Sequence, residues 1–297
     1  MKRSLGYILS ISALAMTSCM AAVEDAPTIE SVGYTVYASQ GSGPDVKTVI
    51  DNETAEINWT SGDAINVFFG TMSSGKFVTS QSGEVAEFNG SLDVVTGGSN
   101  TEGNVYMWGV YPYNASNTCE GSNVTITLPP VQPAAENTFA DGLFPQIARS
   151  ESFSMGFYNL CGGFRFSVSS PDIKCVTLRG NNDEVISGRV KVTMDSDSRP
   201  VVAEVVSGEK VIKMYAPGGG AFKPGVNYYL TVFPTTFTKG MTLTYYKSET
   251  CASYVYSKSY TLGRSVFSAF TNRDQGLNFV PTPLNDWGDG ERVEGEI

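Results

Sequence analysis

A chain of 297 residues that is 41% hydrophobic and 17% charged can build buried cores, and its length suits two domains better than one. The net charge of −10 argues against nucleic acid or an anionic membrane surface as partner, because both need basic patches. Histidine is absent, which removes Ser-His-Asp and Cys-His nucleophile pairs, His-ligated zinc and imidazole proton shuttles; carboxylate-only chemistry such as glycoside hydrolysis survives.

Met1 to Cys19 reads as a targeting segment. Lys2 and Arg3 give a positive start, and Leu5 to Met16 is mostly apolar but too short to span a bilayer. Met16-Thr17-Ser18-Cys19 resembles a bacterial lipobox, with Met16 where Leu is commoner. The plainer reading is an ordinary signal peptide with an incidental cysteine. The lipoprotein is preferred because Cys19 falls at the end of the apolar run, and more than one acyl chain would anchor it stably. The expected segments are a signal peptide over 1–18, a tether over 19–30, an N-terminal β-sandwich over 31–148 and a C-terminal one over 149–297.

Val32, Tyr34, Val36 and Ala38 alternate on one face of a strand over Ser31 to Ser39, followed by a Gly-rich loop over Gln40 to Asp45. Ala55 to Trp59 and Ala64 to Phe69 read as a hairpin across Thr60-Ser61-Gly62-Asp63. Lys76 to Thr79 and Val85 to Phe88 are short strands. Between Asn104 and Gln132, a first strand is apolar on both faces, with Val105, Met107 and Gly109 on one and Tyr106, Trp108 and Val110 on the other, as in a strand buried on two sides. Tyr111-Pro112-Tyr113-Asn114 ends it, because Pro cannot donate to a ladder. A second strand alternates Val124, Ile126 and Leu128 with Asn123, Thr125 and Thr127. Phe139 to Arg149 is irregular, with room for a short helical turn.

Further strands are expected over Gly163 to Ser169, Lys174 to Arg179, Gly188 to Met194, Val201 to Val206, Val211 to Ala216, Tyr228 to Phe233, Met241 to Tyr246 and Ser253 to Tyr260. This spacing points to an all-β chain of two Greek-key sandwiches in tandem. Cys119, Cys161, Cys175 and Cys251 are expected as free thiols rather than disulfides, and Cys161 and Cys175 could be neighbours. The acidic, Gly-rich tail from Asn285 to Ile297 is expected to pack only near Trp287.

No motif carries catalytic chemistry. Gly218-Gly219-Gly220 lacks the Gly-Lys-Ser/Thr ending of a phosphate loop and reads as a turn. Asp195 and Asp197 are spaced like calcium ligands, but the rest of that loop is missing. The chain is therefore read as a non-enzyme without cofactor or metal. Trp59 is expected to pack at a sheet face and Asp63 to close a turn onto backbone amides.

An ordered set of motifs resembles the fimbrillin family, exported lipoproteins that include subunits of type V pili. It comprises Lys47-Thr48, Ile57-Asn58-Trp59 with Gly62-Asp63-Ala64-Ile65-Asn66-Val67-Phe68, Val110-Tyr111-Pro112-Tyr113-Asn114, Leu128-Pro129 with Gln132, and Asp141-Gly142-Leu143. In the second half follow Phe222-Lys223-Pro224-Gly225, Tyr228 to Pro234 and Lys239-Gly240. Phe157-Tyr158-Asn159 departs from the Phe-x-His of many relatives.

The resemblance implies transthyretin-like sandwiches, an outer-membrane lipid anchor at Cys19, and a role as pilus subunit, anchor or accessory protein in adhesion and assembly. It also implies other pilus subunits as partners through donor-strand exchange, and a host or bacterial surface ligand. The exchangeable strand would be the one carrying Val32, Tyr34, Val36 and Ala38, with Lys47 the first basic residue at which a protease could release it. Family shaft subunits are generally cut after Arg, and no Arg lies between Arg3 and Arg149, so the uncut, lipid-anchored form is expected. The alternative is a monomeric surface lipoprotein that binds glycan through exposed aromatics in a groove.

Overall fold

The computed structural model describes residues 28–40, 58–69, 74–96 and 106–283. Seven strands close a barrel in the order β1-β10-β9-β5-β2-β3-β4. These are β1 (Thr28–Gln40), β2 (Ala64–Phe69), β3 (Gly75–Thr79), β4 (Val85–Thr96), β5 (Met107–Tyr111), β9 (Gln146–Ser150) and β10 (Ser154–Asn159). Closure leaves few free edges. Inside lie Val36, Ala38, Trp59, Ile65, Val67, Phe77, Phe88, Leu92, Met107, Ala148, Met155 and Phe157.

The wall formed by β2, β5 and β9 is buried on both faces. Ile65, Val67, Met107 and Ala148 point into the barrel, whereas Phe68, Trp108, Val110 and Ile147 point outward into a second core. This double burial explains why Met107 to Val110 carries no polar side chain. The second core is closed by a four-stranded sheet, β14-β13-β7-β6, built from β6 (Thr118–Glu120), β7 (Asn123–Leu128), β13 (Ser187–Met194) and β14 (Pro200–Glu209). Val124, Ile126, Leu128, Val190 and Val192 fill it from that side.

The third core lies in a sandwich, as expected from the sequence. One sheet runs β16-β11-β21, from β11 (Gly162–Ser167), β16 (Tyr228–Val232) and β21 (Phe267–Thr271). The facing sheet runs β22-β19-β18-β12-β15-β8, from β8 (Val131–Pro133), β12 (Cys175–Gly180), β15 (Val211–Tyr215), β18 (Met241–Tyr246), β19 (Thr250–Tyr256) and β22 (Val280–Pro281). Phe164, Phe166, Tyr228 and Leu230 meet Val176, Leu178, Ile212, Met214, Leu243 and Tyr245 between them. A small pair of β17 (Thr235–Phe237) and β20 (Tyr260–Leu262) completes the described strands.

Pairings cross residue 148 in both directions. β10 lies beside β1 in the barrel, β7 beside β13, and β8 beside β15. Two sequence readings need correction. Of the expected hairpin strand over Ala55 to Trp59, only Asn58 and Trp59 lie within the described residues; Trp59 bridges Gly83 rather than β2, and β2 pairs with β3 and β5. Cys161 and Cys175 are not neighbours, because β11 and β12 belong to facing sheets. Cys161 lies in the second core, and Cys175 sits with Tyr246 and Cys251. Cys119, Cys161, Cys175 and Cys251 are free thiols, as expected.

Candidate functional site: the seat of the first strand

β1 forms where expected because its β-branched and aromatic residues alternate with small polar ones. It pairs antiparallel with β4 along its whole length, from Thr28↔Thr96 to Ser39↔Val85. On its other side it meets β10 in parallel only from Tyr37↔Ser154 to Gln40↔Phe157. Among the described residues, those before Tyr37 are therefore held laterally by one neighbour alone.

The four candidate anchors share the inward face. Val36 and Ala38 are fully buried at 0% exposure, while Val32 and Tyr34 are half-buried nearer the open end. The Tyr34 ring stacks on Phe153 at 5.0 Å between centroids. Trp59 donates its indole N–H to the Ala38 carbonyl at 3.1 Å, and packs edge-on against Phe88, Tyr111 and Phe157. Burying Val36 alone is worth roughly 1.5–3 kcal/mol, so removing the strand would open a groove floored by Phe88, Phe157 and Met155 at a large cost. A strand with side chains of similar size at alternate positions would refill it.

At its last residue, Gln40, β1 is tied to a chain of amides that the sequence did not reveal. Gln146 donates to Gln40 Oε1 at 2.8 Å and to Asn159 Oδ1 at 2.9 Å, and Asn159 donates to Ser265 Oγ at 3.0 Å. Asn159 is fully buried and works as a hydrogen-bonding link between the barrel and the loop after β20. Cys19 and Lys47, the expected lipid-attachment and processing positions, lie outside the described residues.

No family model matches the chain, and no curated protein matches it. Among solved structures, the chain is similar to the crystal structure of a proposed cell adhesion protein from Bacteroides ovatus ATCC 8483, with 11% identity, 84% of this chain and 95% of that chain covered, and a TM-score of 0.47.

Three of the motifs singled out in the sequence, distant along the chain, meet at one end of the barrel. Asp63 accepts from the Thr60 backbone N–H at 2.8 Å, closing the expected turn, and from the Tyr111 hydroxyl at 3.2 Å. Burial, reinforced by the Asp63 charge, pushes the Tyr111 phenol well above its ordinary range. Asn66 clamps the turn that ends β5, accepting from Asn114 N at 2.9 Å and donating to Asn114 O at 3.1 Å. The Asp141-Gly142 turn forms the opposite wall.

Other singled-out residues are structural. Gln132 donates to Thr231 O at 2.7 Å and accepts from Thr231 N at 2.9 Å, so its side chain extends the β16 ladder as a strand would. Asp195 accepts from Asp197 N and Arg199 N within its own exposed turn. Gly218 and Gly219 lie in a turn with φ of 64° and 71°, a conformation that suits glycine.

Proposed function

We propose that this chain is a fimbrillin-like lipoprotein of the outer cell surface, anchored through Cys19, that acts as a base or accessory subunit of a pilus in adhesion and assembly. The observation that carries this reading is the seat of β1. The first described strand fills a barrel groove with anchors at alternate positions and, among the described residues, is held on one side only over its first half. That is the geometry a strand-exchange fold requires of the element it gives up. With no Arg between Arg3 and Arg149, the preferred form keeps β1 in place. The ordered fimbrillin-like motifs support the same reading.

Trp59 and Trp108, at 2% and 1% exposure, are core residues, so the alternative of a monomeric lipoprotein that binds glycan through exposed aromatics would have to rest on other rings. Electron microscopy of cells with and without the protein tests the proposal. Fibres that are lost, shortened or shed in its absence support it, and identical, equally attached fibres would overturn it.

A further inference from the structure

The cleft at the end of the barrel has a volume of about 700 Å³, within the range of small-molecule sites. We infer that it binds a neutral oligosaccharide. The inference rests on the cleft alone and stands whether or not β1 is exchanged.

The floor is preorganised. Asp63 and Tyr111 are fixed to each other and to the Thr60 turn. Tyr113 N donates to Ala64 O at 2.8 Å, and Asn117 adds a third bond to the clamp by donating to Asn66 Oδ1 at 2.9 Å. Leu143 N donates to Ala140 O at 3.1 Å and sets the wall that carries Asp141. Such a scaffold would lose little conformational freedom on binding.

The rim supplies polar groups and a ring. Thr138 and Asp141 are exposed at the cleft, and the half-buried Tyr113 lines it as well. Lys76 places its ammonium 5.1 Å from the centre of that ring. Carboxylate, hydroxyl and ammonium groups around a tyrosine match a sugar, whose hydroxyls both donate and accept and whose C–H face packs on a ring.

Other ligands fit less well. Asp63 and Asp141 outnumber Lys76, so uronic and sulfated sugars are disfavoured in a chain already at −10. β2 and β5 are paired on both sides, β2 with β3 and β5, and β5 with β2 and β9. They offer no backbone edge to an extended peptide.

The test is calorimetric titration of the purified full-length protein with neutral hexose and N-acetylhexosamine oligosaccharides, alongside uronic and sulfated ones. The expected result is binding of at least one neutral oligosaccharide, weakened about tenfold or more by Tyr113→Ala and by Asp141→Ala, with melting temperatures kept. Asp141 is exposed, so its variant folds even if Tyr113→Ala does not. Failure of every neutral oligosaccharide to bind, preference for the acidic ones, or undiminished affinity in Asp141→Ala would overturn the inference.

Discussion

Trp59 and Trp108 are equally buried, yet the same substitution should affect them differently. Changing either to Phe removes two carbons from a packed site, a loss of about 2 kcal/mol with the cavity included. At Trp59 the change also deletes the hydrogen bond to the Ala38 carbonyl, a further cost of about 1 kcal/mol. At Trp108 the indole N–H is buried without a hydrogen-bond partner among the described residues, and Arg149 lies over the ring at 5.7 Å. Deleting that orphan donor returns about 1–3 kcal/mol. Trp59→Phe should therefore destabilise by about 3 kcal/mol and Trp108→Phe by about 1 kcal/mol or less, a gap of about 2–4 kcal/mol. Trp108→Ala remains costly, at about 3–5 kcal/mol. Urea unfolding followed by far-UV circular dichroism measures all three, because it needs no tryptophan signal. A Trp108→Phe protein as destabilised as Trp59→Phe would refute the assignment of the two indole nitrogens.

Gly109→Ala should cost about 1–3 kcal/mol in the same assay, because a Cβ there would sit 2.5 Å from Phe157 Cζ and 3.0 Å from Met155 Sδ. Gln132→Ala should cost about 1–3 kcal/mol, because it leaves the Thr231 backbone N–H buried without its partner; a neutral result would mean that water replaces the amide. Burial raises the Cys175 thiol to about 12 and the Cys119 thiol to about 11, against 9.0 when unfolded. The unfolded state then loses these protons first, so stability should hold below pH 9 and fall as pH rises from 9 towards 12. The check is a series of melting temperatures across alkaline pH in wild type and Cys175→Ala, which should show a shallower fall; equal falls would contradict the assignment.

Much of the strand content could be read from alternation and turn residues. Ala64–Phe69, Asn123–Leu128 and Met241–Tyr246 fall at the expected bounds, because in each a run of apolar or β-branched residues stops at a turn signal. Partners were not legible. The strands over 107–111 and 123–128 are close in sequence but lie in different sheets, since alternation records which face is buried and not which neighbour buries it. Glycine misled in one place. β4 continues through Gly90 to Thr96, because a Cβ there would lie 2.5 Å from the Lys76 carbonyl oxygen and only glycine permits that approach. Within the candidate sites, the anchors of β1 and the Asp63 turn are local patterns and were visible. The links from Gln40 through Gln146 and Asn159 to Ser265, and the meeting of Tyr113 with Asp141, join positions far apart in the chain with no shared period.

The measurement that tests the central claim most directly is mass spectrometry of the mature N-terminus, on protein taken from the membrane fraction and from sheared surface fibres. A lipid-anchored base or accessory subunit predicts a chain that begins at an acylated Cys19 and retains residues 28–40 in both fractions. A mature chain that begins at Thr48, with β1 removed, would contradict that account and identify a polymerising subunit instead.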